Sequence, residues 1–399
     1  MSWICGEQSI RELWGLDPSV AFLNHGSYGA VPHAVHRERL AVIQNIEKNP
    51  ADFIARQLPQ RISEQRRNLA AWLNAQPQTL AFVPNATSGI GAVLASLSWQ
   101  PGDEIVFHSH GYGWVRQGLS NLAARYRVVV KEAHIPWPRA SDDLIVSSFE
   151  EQMSERTKLL ICDHVSSPTA LAFPLKRIIS AAHARGVRVL VDGAHAPGFL
   201  PLDIGILGPD FYVGNLHKWV CAPRGAAFLY VNESHRDAIR PESLCYSGGI
   251  AHHSHSCDFV DYFDWTGTTD FSAWLSIAAA LEFNAYLGWT ELFRNRRQLL
   301  LEAKRLLITA LNLNHVQIGG DENAYAMLTL PWPLRHHIEP SIALARILSE
   351  WLLREHRVEV PVLCFENRIY FRVSVQAYNC LDEYQRLAQA IALHPYSLV

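Results

Sequence analysis

From about residue 79 to 231 the chain alternates short, nearly uninterrupted apolar runs with amphipathic segments, and that alternation leaves few folds open. "LAFVPNATSGIGAVLASL" reads as strand, polar turn and helix, while "DEIVFHS", "YRVVVKEA" and "TKLLICDHV" read as further strands. "LKRIISAAHARG" has helical spacing and stops at Gly186; "VRVLVDGAH" and "GAAFLYV" complete the series. Strands that lack polar alternation and are separated by helices are buried on both faces. The pattern therefore predicts an α/β chain with a mainly parallel sheet covered on each side. In such sheets ligands sit at the carboxyl ends of the strands. Asp192 after "RVLV", the polar turn 85–88, the segment 108–112 and Ser166/Ser167 all fall at such ends.

The flanking regions differ. Residues 1–75 hold an irregular "FLNHGSYGAVP" and helical stretches at 33–48 and 61–73, and are expected to pack beside the rest. A large domain is expected over 76–271. Long helical patterns and a smaller C-terminal α/β domain are expected over 272–399, with strands near 325–330 and 367–375 and a helix at 340–355. Hydrophobic residues at 49% and charged ones at 18% supply a large core. A net charge of −3 without a Lys/Arg block argues against a nucleic-acid groove or an anionic membrane surface. Seven scattered cysteines without a CxxC suit reduced thiols in a cytoplasm. No apolar run reaches the roughly 18 residues that span a bilayer.

Chemistry enters with Lys218, set between His217 and Trp219 in "NLHKWV". A buried lysine loses hydration, its pKa falls, and the neutral amine becomes a nucleophile for Schiff-base formation. Pyridoxal phosphate is one carbonyl that needs such an amine, and its pyridine nitrogen needs an acid partner. Asp192 is that candidate. The strand-to-helix turn "NATSG" offers N–H groups to a phosphate. His110 or Tyr112 in "HSHGYGW" is placed to cover a ring face, and Arg372 in "IYFRVS" to fork a substrate carboxylate. Each residue alone has an ordinary structural explanation: a snorkelling lysine, a turn-capping aspartate, a helix cap, packing aromatics, an ion-pair arginine. Their order along the chain, each at a strand end, is what points to chemistry.

The run "VDGAHAPGFLPLDIGILGPDFYVGNLHKW" resembles the fold-type I pyridoxal-phosphate enzymes of the class V aminotransferase family. "FLNHGSYGAVP", "HVSSPTALAFPL" and "HKWVCAPRGAAFLYV" resemble its isopenicillin N epimerase-like branch, and the likeness runs from about residue 20 to 378. The resemblance implies a seven-stranded type of sheet, a cofactor Schiff base on Lys218, and Asp192 at the pyridine nitrogen. It implies His195 and Ser167 beside the phenolic oxygen, and Ala86, Thr87, Asn215 and His217 at the phosphate. Gly267 and Thr268 of "WTGTTD" would complete the phosphate cup of a neighbouring copy, so a homodimer with shared sites is expected. Arg372 takes the carboxylate position, and Asn24 and His25 line the substrate entrance. Cys364 sits in an apolar, strand-like setting, unlike the loop nucleophile of cysteine desulfurases.

Two further readings are kept. The segment "AHHSHSC" places His252, His253, His255 and Cys257 together, which opens a metal-binding alternative. For an amino-acid substrate, β-elimination at a C–S bond needs a single base, whereas epimerisation also needs a proton donor on the opposite face. Cleavage is favoured over epimerisation or transamination on that ground.

Overall fold

The computed structural model describes residues 4–5, 8–138, 140–243, 258–316, 318–319, 321 and 325–398. Seven strands form one sheet: β1 (Leu80–Val83), β2 (Glu104–His108), β3 (Val129–Ala133), β4 (Thr157–Asp163), β5 (Arg188–Asp192), β6 (Phe211–Asn215) and β7 (Ala227–Val231). Their order is β1-β7-β6-β5-β4-β2-β3. Neighbours from β3 through β6 are parallel, and β7 runs antiparallel to both β6 and β1. The fold class is the α/β, mainly parallel arrangement that the apolar runs imply.

Side chains alternate across a strand, and here each face meets its own core. Leu160, Cys162, Val189 and Val191 enter one apolar cluster, while Leu159, Ile161 and Leu190 enter the other. β3 departs from the expectation of full burial: Val129 and Val130 are exposed because this strand is a sheet edge. A second, antiparallel sheet contains β8 (Met327–Pro331), β9 (Val362–Phe365) and β10 (Arg368–Ser374), in the order β8-β10-β9. Glu366 and Asn367 turn the β9–β10 hairpin at φ 45° and 59°, the left-handed pair that suits strand twist. Helices Trp289–Ala310, Ile342–His356 and Leu381–Leu393 contribute to a third apolar core over this sheet.

The turn after β6 carries Lys218, and segments from all along the chain immobilise it. Trp219, Val220, Cys221 and Ala222 are fully buried. Asn284 Nδ2 donates to the Val220 carbonyl at 2.7 Å. His25 Nε2 donates to the Lys218 carbonyl at 3.0 Å, which leaves Nδ1 to accept from the Tyr378 hydroxyl at 2.8 Å. Gly29, at φ 68°, packs so closely that a Cβ there would lie 1.9 Å from the His217 carbonyl oxygen. Behind the turn, the buried Arg296 donates to the Gly198 carbonyl (2.7 Å) and to Gln376 Oε1 (2.8 Å from Nε). It thereby joins the helix Trp289–Ala310, the loop after β5 and the end of β10.

Arg296→Leu removes a buried donor from both acceptors. It is expected to lower stability by about 3 kcal/mol, the scale of a lost charged hydrogen bond plus unsatisfied partners. Urea unfolding at unchanged slope measures this; a shift of midpoint within error of the parent would show that the contacts are not stabilising.

Candidate active site

At the carboxyl ends of β4, β5 and β6 lies a cavity of about 310 Å³. Its wall includes Ala86, Thr87, Tyr112, Ser167, Asp192, His195, Asn215, His217, Lys218 and Arg372, ten of the residues singled out in the sequence. The Lys218 amine stands 3.0 Å from His195 Nε2. Burial holds its pKa well below the usual lysine value, Arg372 adds to the effect, and Asp192 and Asp163 oppose it. Asp192 ends β5, accepts the Ala194 N–H at 2.9 Å, and is pushed well above the carboxylate range by burial and then by Asp163. His195 is driven well below the usual histidine value by burial and by Lys218. An amine that deprotonates readily therefore faces an imidazole that resists protonation.

The helix Ala86–Ser96 opens toward the cavity. Asn85 caps it by accepting the Ser88 N–H at 2.9 Å, and the Ala86 N–H is engaged by Asn215 Oδ1 at 2.9 Å. Thr87 is the residue of this turn left facing the cavity without such a contact. On the far side Arg372, on β10, is 4% exposed; Nη1 donates to the Ser167 carbonyl (2.5 Å) and hydroxyl (3.1 Å), and Nη2 to the Ser27 hydroxyl (3.2 Å). Arg372 Nε and the Nδ1 atoms of His195 and His217 are buried without a hydrogen-bond partner among the described residues.

Two residues expected at the substrate entrance, Asn24 and His25, lie elsewhere, as does one of the two ring-covering alternatives, while Gly267 and Thr268, expected at the site of a neighbouring copy, lie outside this chain's own cavity. His110 is fully buried, bonded through Nδ1 to the Thr169 hydroxyl and through Nε2 to the Ile135 carbonyl, both at 2.8 Å. Its ring packs edge-on against Trp137 and Phe365, so Tyr112 is the member of the pair that reaches the cavity. His25 sits under the Lys218 turn, and its neighbours Gly26, Ser27 and Tyr28 line the cavity instead. Asn24 donates to Glu359 Oε1 at 3.0 Å and borders a separate groove. Gly267 and Thr268 are exposed and outside the cavity. His252, His253, His255 and Cys257 lie outside the described residues, and among the described ones no cluster of metal-ligating side chains occurs. Cys364 pairs with Ile369 in the β9–β10 ladder, away from the cavity.

The sequence reading missed Asp163, which is 3% exposed, lines the cavity, and ends β4 in register with Asp192. Its signal was present: "LLICD" and "RVLVD" are the same apolar run closed by the same acid.

The model of the Aminotransferase class-V family matches residues 33–387. Isopenicillin N epimerase of Amycolatopsis lactamdurans is 33% identical over 396 residues, covering 96% of this chain and 97% of that protein. A probable chloroplastic L-cysteine desulfhydrase of Arabidopsis thaliana is 28% identical, covering 98% of this chain and 86% of its own length. The solved complex of the cystine C-S lyase C-DES with cysteine persulfide superimposes with a TM-score of 0.79 at 22% identity, over 96% of this chain and 99% of that one, a likeness of fold. Since the family model spans most of the sequence and a relative shares a third of its residues from end to end, this chain belongs to the class V aminotransferase family of pyridoxal-phosphate-dependent enzymes.

Proposed function

We propose that the cavity binds pyridoxal phosphate on Lys218 and that the enzyme breaks the C–S bond β to the α-carbon of an amino-acid substrate. The donor set supports this. One neutral amine, one acid at the neighbouring strand end, a helix start with Thr87, and unpartnered imidazole nitrogens of His195 and His217 converge on one cavity. Asp192 would keep the pyridine nitrogen protonated, Tyr112 would cover the ring, and Thr87, Asn215 and His217 would hold the phosphate. Ala86 serves through its place in the helix turn, since its N–H is taken by Asn215. A homodimer, in which a second copy presents its Gly267–Thr268 turn to the phosphate, and a reducing cytoplasm complete the proposal.

When bound, the cofactor would supply the carbonyl for the substrate amine and an electron sink for the pair released at the α-carbon. Arg372 forks the substrate carboxylate. Lys218, displaced from its bond, takes the α-proton as general base, and His195 at 3.0 Å is placed to share that proton. The Cβ–S bond then breaks, the sulfur leaves as a thiol, and hydrolysis yields a keto acid and ammonia.

One observation carries the choice of reaction. Tyr112 lines the cavity, and its phenol is pushed above the ordinary value by burial, then by Tyr28 and Asp192. It is a reluctant donor for the second face that epimerisation requires. The likeness to an isopenicillin N epimerase at 33% identity supports epimerisation as a second reading.

Borohydride reduction of the loaded protein, followed by peptide mapping, is expected to place the pyridoxyl group on Lys218; a label on any other lysine removes it from this role. Because its pKa is lowered to about 7, the neutral amine appears as pH rises through that value. Cofactor capture by the apoprotein should accelerate over that range rather than near the ordinary lysine value.

Arg372→Lys keeps the charge but loses the planar fork. KM for amino acids should rise tenfold or more, about 1.5–3 kcal/mol for a charged hydrogen bond, while decarboxylated amines are bound equally by both forms. Equal KM values for acids and amines in the parent enzyme would remove the role.

Incubation in deuterated water with cysteine conjugates and with plain L-amino acids decides the reaction. Pyruvate with a released thiol is the expected result. Deuterium at the α-carbon of a D-isomer, without pyruvate from any sulfur substrate, would establish epimerisation instead.

A further inference from the structure

Asp163 has no part in the mechanism above, yet it is a nearly inaccessible acid in the wall of the same cavity. β4 and β5 are parallel, and Asp163 and Asp192 are register partners, so their side chains leave the same face of the sheet. On the other flank of β4, β2 ends in His108, whose Nε2 lies 3.2 Å from Asp163 Oδ1. A row of three titratable side chains thus crosses three adjacent strand ends.

The hydrogen bonds fix where a proton rests. The Asp163 backbone N–H donates to His108 Nε2 at 3.2 Å; with Nε2 accepting, its lone pair is presented to Asp163 and the imidazole proton is carried by Nδ1, which is buried without a partner among the described residues. A carboxylate oxygen facing that lone pair would be repelled. A carboxylic acid O–H would donate to it. His108 is fully buried and held near 3, chiefly by burial, so it stays a neutral acceptor. Both acids accept a backbone N–H, Asp192 from Ala194 and Asp163 from Ser167, so the difference between them is the His108 lone pair beside Asp163. Two carboxyls this close in a desolvated site do not both ionise.

We propose that Asp163 and Asp192 share one proton, and that His108 keeps it on Asp163 so that the single negative charge stays on Asp192. Asp163 and His108 are then positioning residues for charge: they hold a formal anion at one strand end of the cavity floor. The Ser167 N–H after β4 donates to Asp163, Lys218 beyond β6 acts on both acids, and Tyr212 on β6 and Cys162 on β4 feel their charge from the opposite face of the sheet. Of these, Lys218 alone can carry a positive charge, and in that form it draws negative charge to both acids. The inference deepens the cofactor-site reading and rests on it for its purpose. The charge pattern itself is measurable without cofactor, so the two fail separately.

The test is carboxyl titration of the cofactor-free full chain labelled with carboxyl-carbon-13 aspartate. Difference spectra against Asp163→Asn and Asp192→Asn assign the two signals. In the parent, Asp192 is expected to ionise first and Asp163 to remain protonated to higher pH. Replacing Asp163 by Asn should shift Asp192 downward by about one pH unit or more, the scale of a like-charge effect. If one variant fails to fold, the reciprocal one carries the same test, because Asp192→Asn should shift Asp163 downward. His108→Phe removes the acceptor, so Asp163 should then begin to ionise alongside Asp192. In an Asp163→Asn background the same change should leave the Asp192 titration where it was, whereas a merely structural histidine would disturb both backgrounds equally. Independent titration of the two acids, or a protonated Asp192 beside an ionised Asp163, would overturn the proposal.

Discussion

Desolvating a primary amine next to two carboxyls and a guanidinium is the constraint around which this molecule is organised. Each ion removed from water costs several kcal/mol even after relaxation, so such groups remain only where the surroundings cannot yield. The sheet supplies that rigidity. Each strand around the site is apolar on both faces and alternates into two separate cores, so the strand ends cannot shift without disturbing both. Asp163, Asp192 and Asn215 all end such strands. The response of the groups is then chemical: the amine gives up its proton readily and the two acids ionise less readily than ordinary carboxyls.

The legible part of the fold was the part with a period. Six of the seven strands of the large sheet, the helix Ala86–Ser96 and the helix Ile342–His356 announce themselves through burial on one or two faces, whereas β6, Phe211–Asn215, was not among the runs read as strands. The site residues at strand ends were legible for the same reason, because a polar residue closing an apolar run has a predictable place. What failed was direction within irregular segments. In "HSHGYGW" His110 and Tyr112 are separated by two residues, and only the packed loop shows that one meets Ile135 and Thr169 while the other meets the cavity. In "NHGSYG" a short helical turn, His25–Tyr28, turns His25 under Lys218 and offers Ser27 and Tyr28 instead. Asp163 was missed although its run has the same form as that of Asp192, since its partner His108 is 55 residues away in sequence.

The small sheet and the N-terminal segment explain how the site closes. Ala21–Phe22 pairs with Val358–Glu359, and the Ser374 N–H donates to the Leu23 carbonyl at 2.8 Å, so the segment is stitched to the small sheet. A few residues later the same segment reaches the Lys218 turn through His25. Arg372, two residues before Ser374 on the same strand, is steadied by Ser27 from that segment and by Ser167 from the loop after β4. Its guanidinium is therefore held by two parts of the chain before any substrate arrives. A substrate carboxylate must displace or share those contacts, and its gain is the surplus of a charged fork over a carbonyl and two hydroxyls. Small movements of the N-terminal segment change that surplus and the placement of Lys218 together. Under the roles proposed for Arg372 and Lys218, binding at one end of the substrate and proton removal at its α-carbon would both depend on a single strip of backbone, residues 23 to 29.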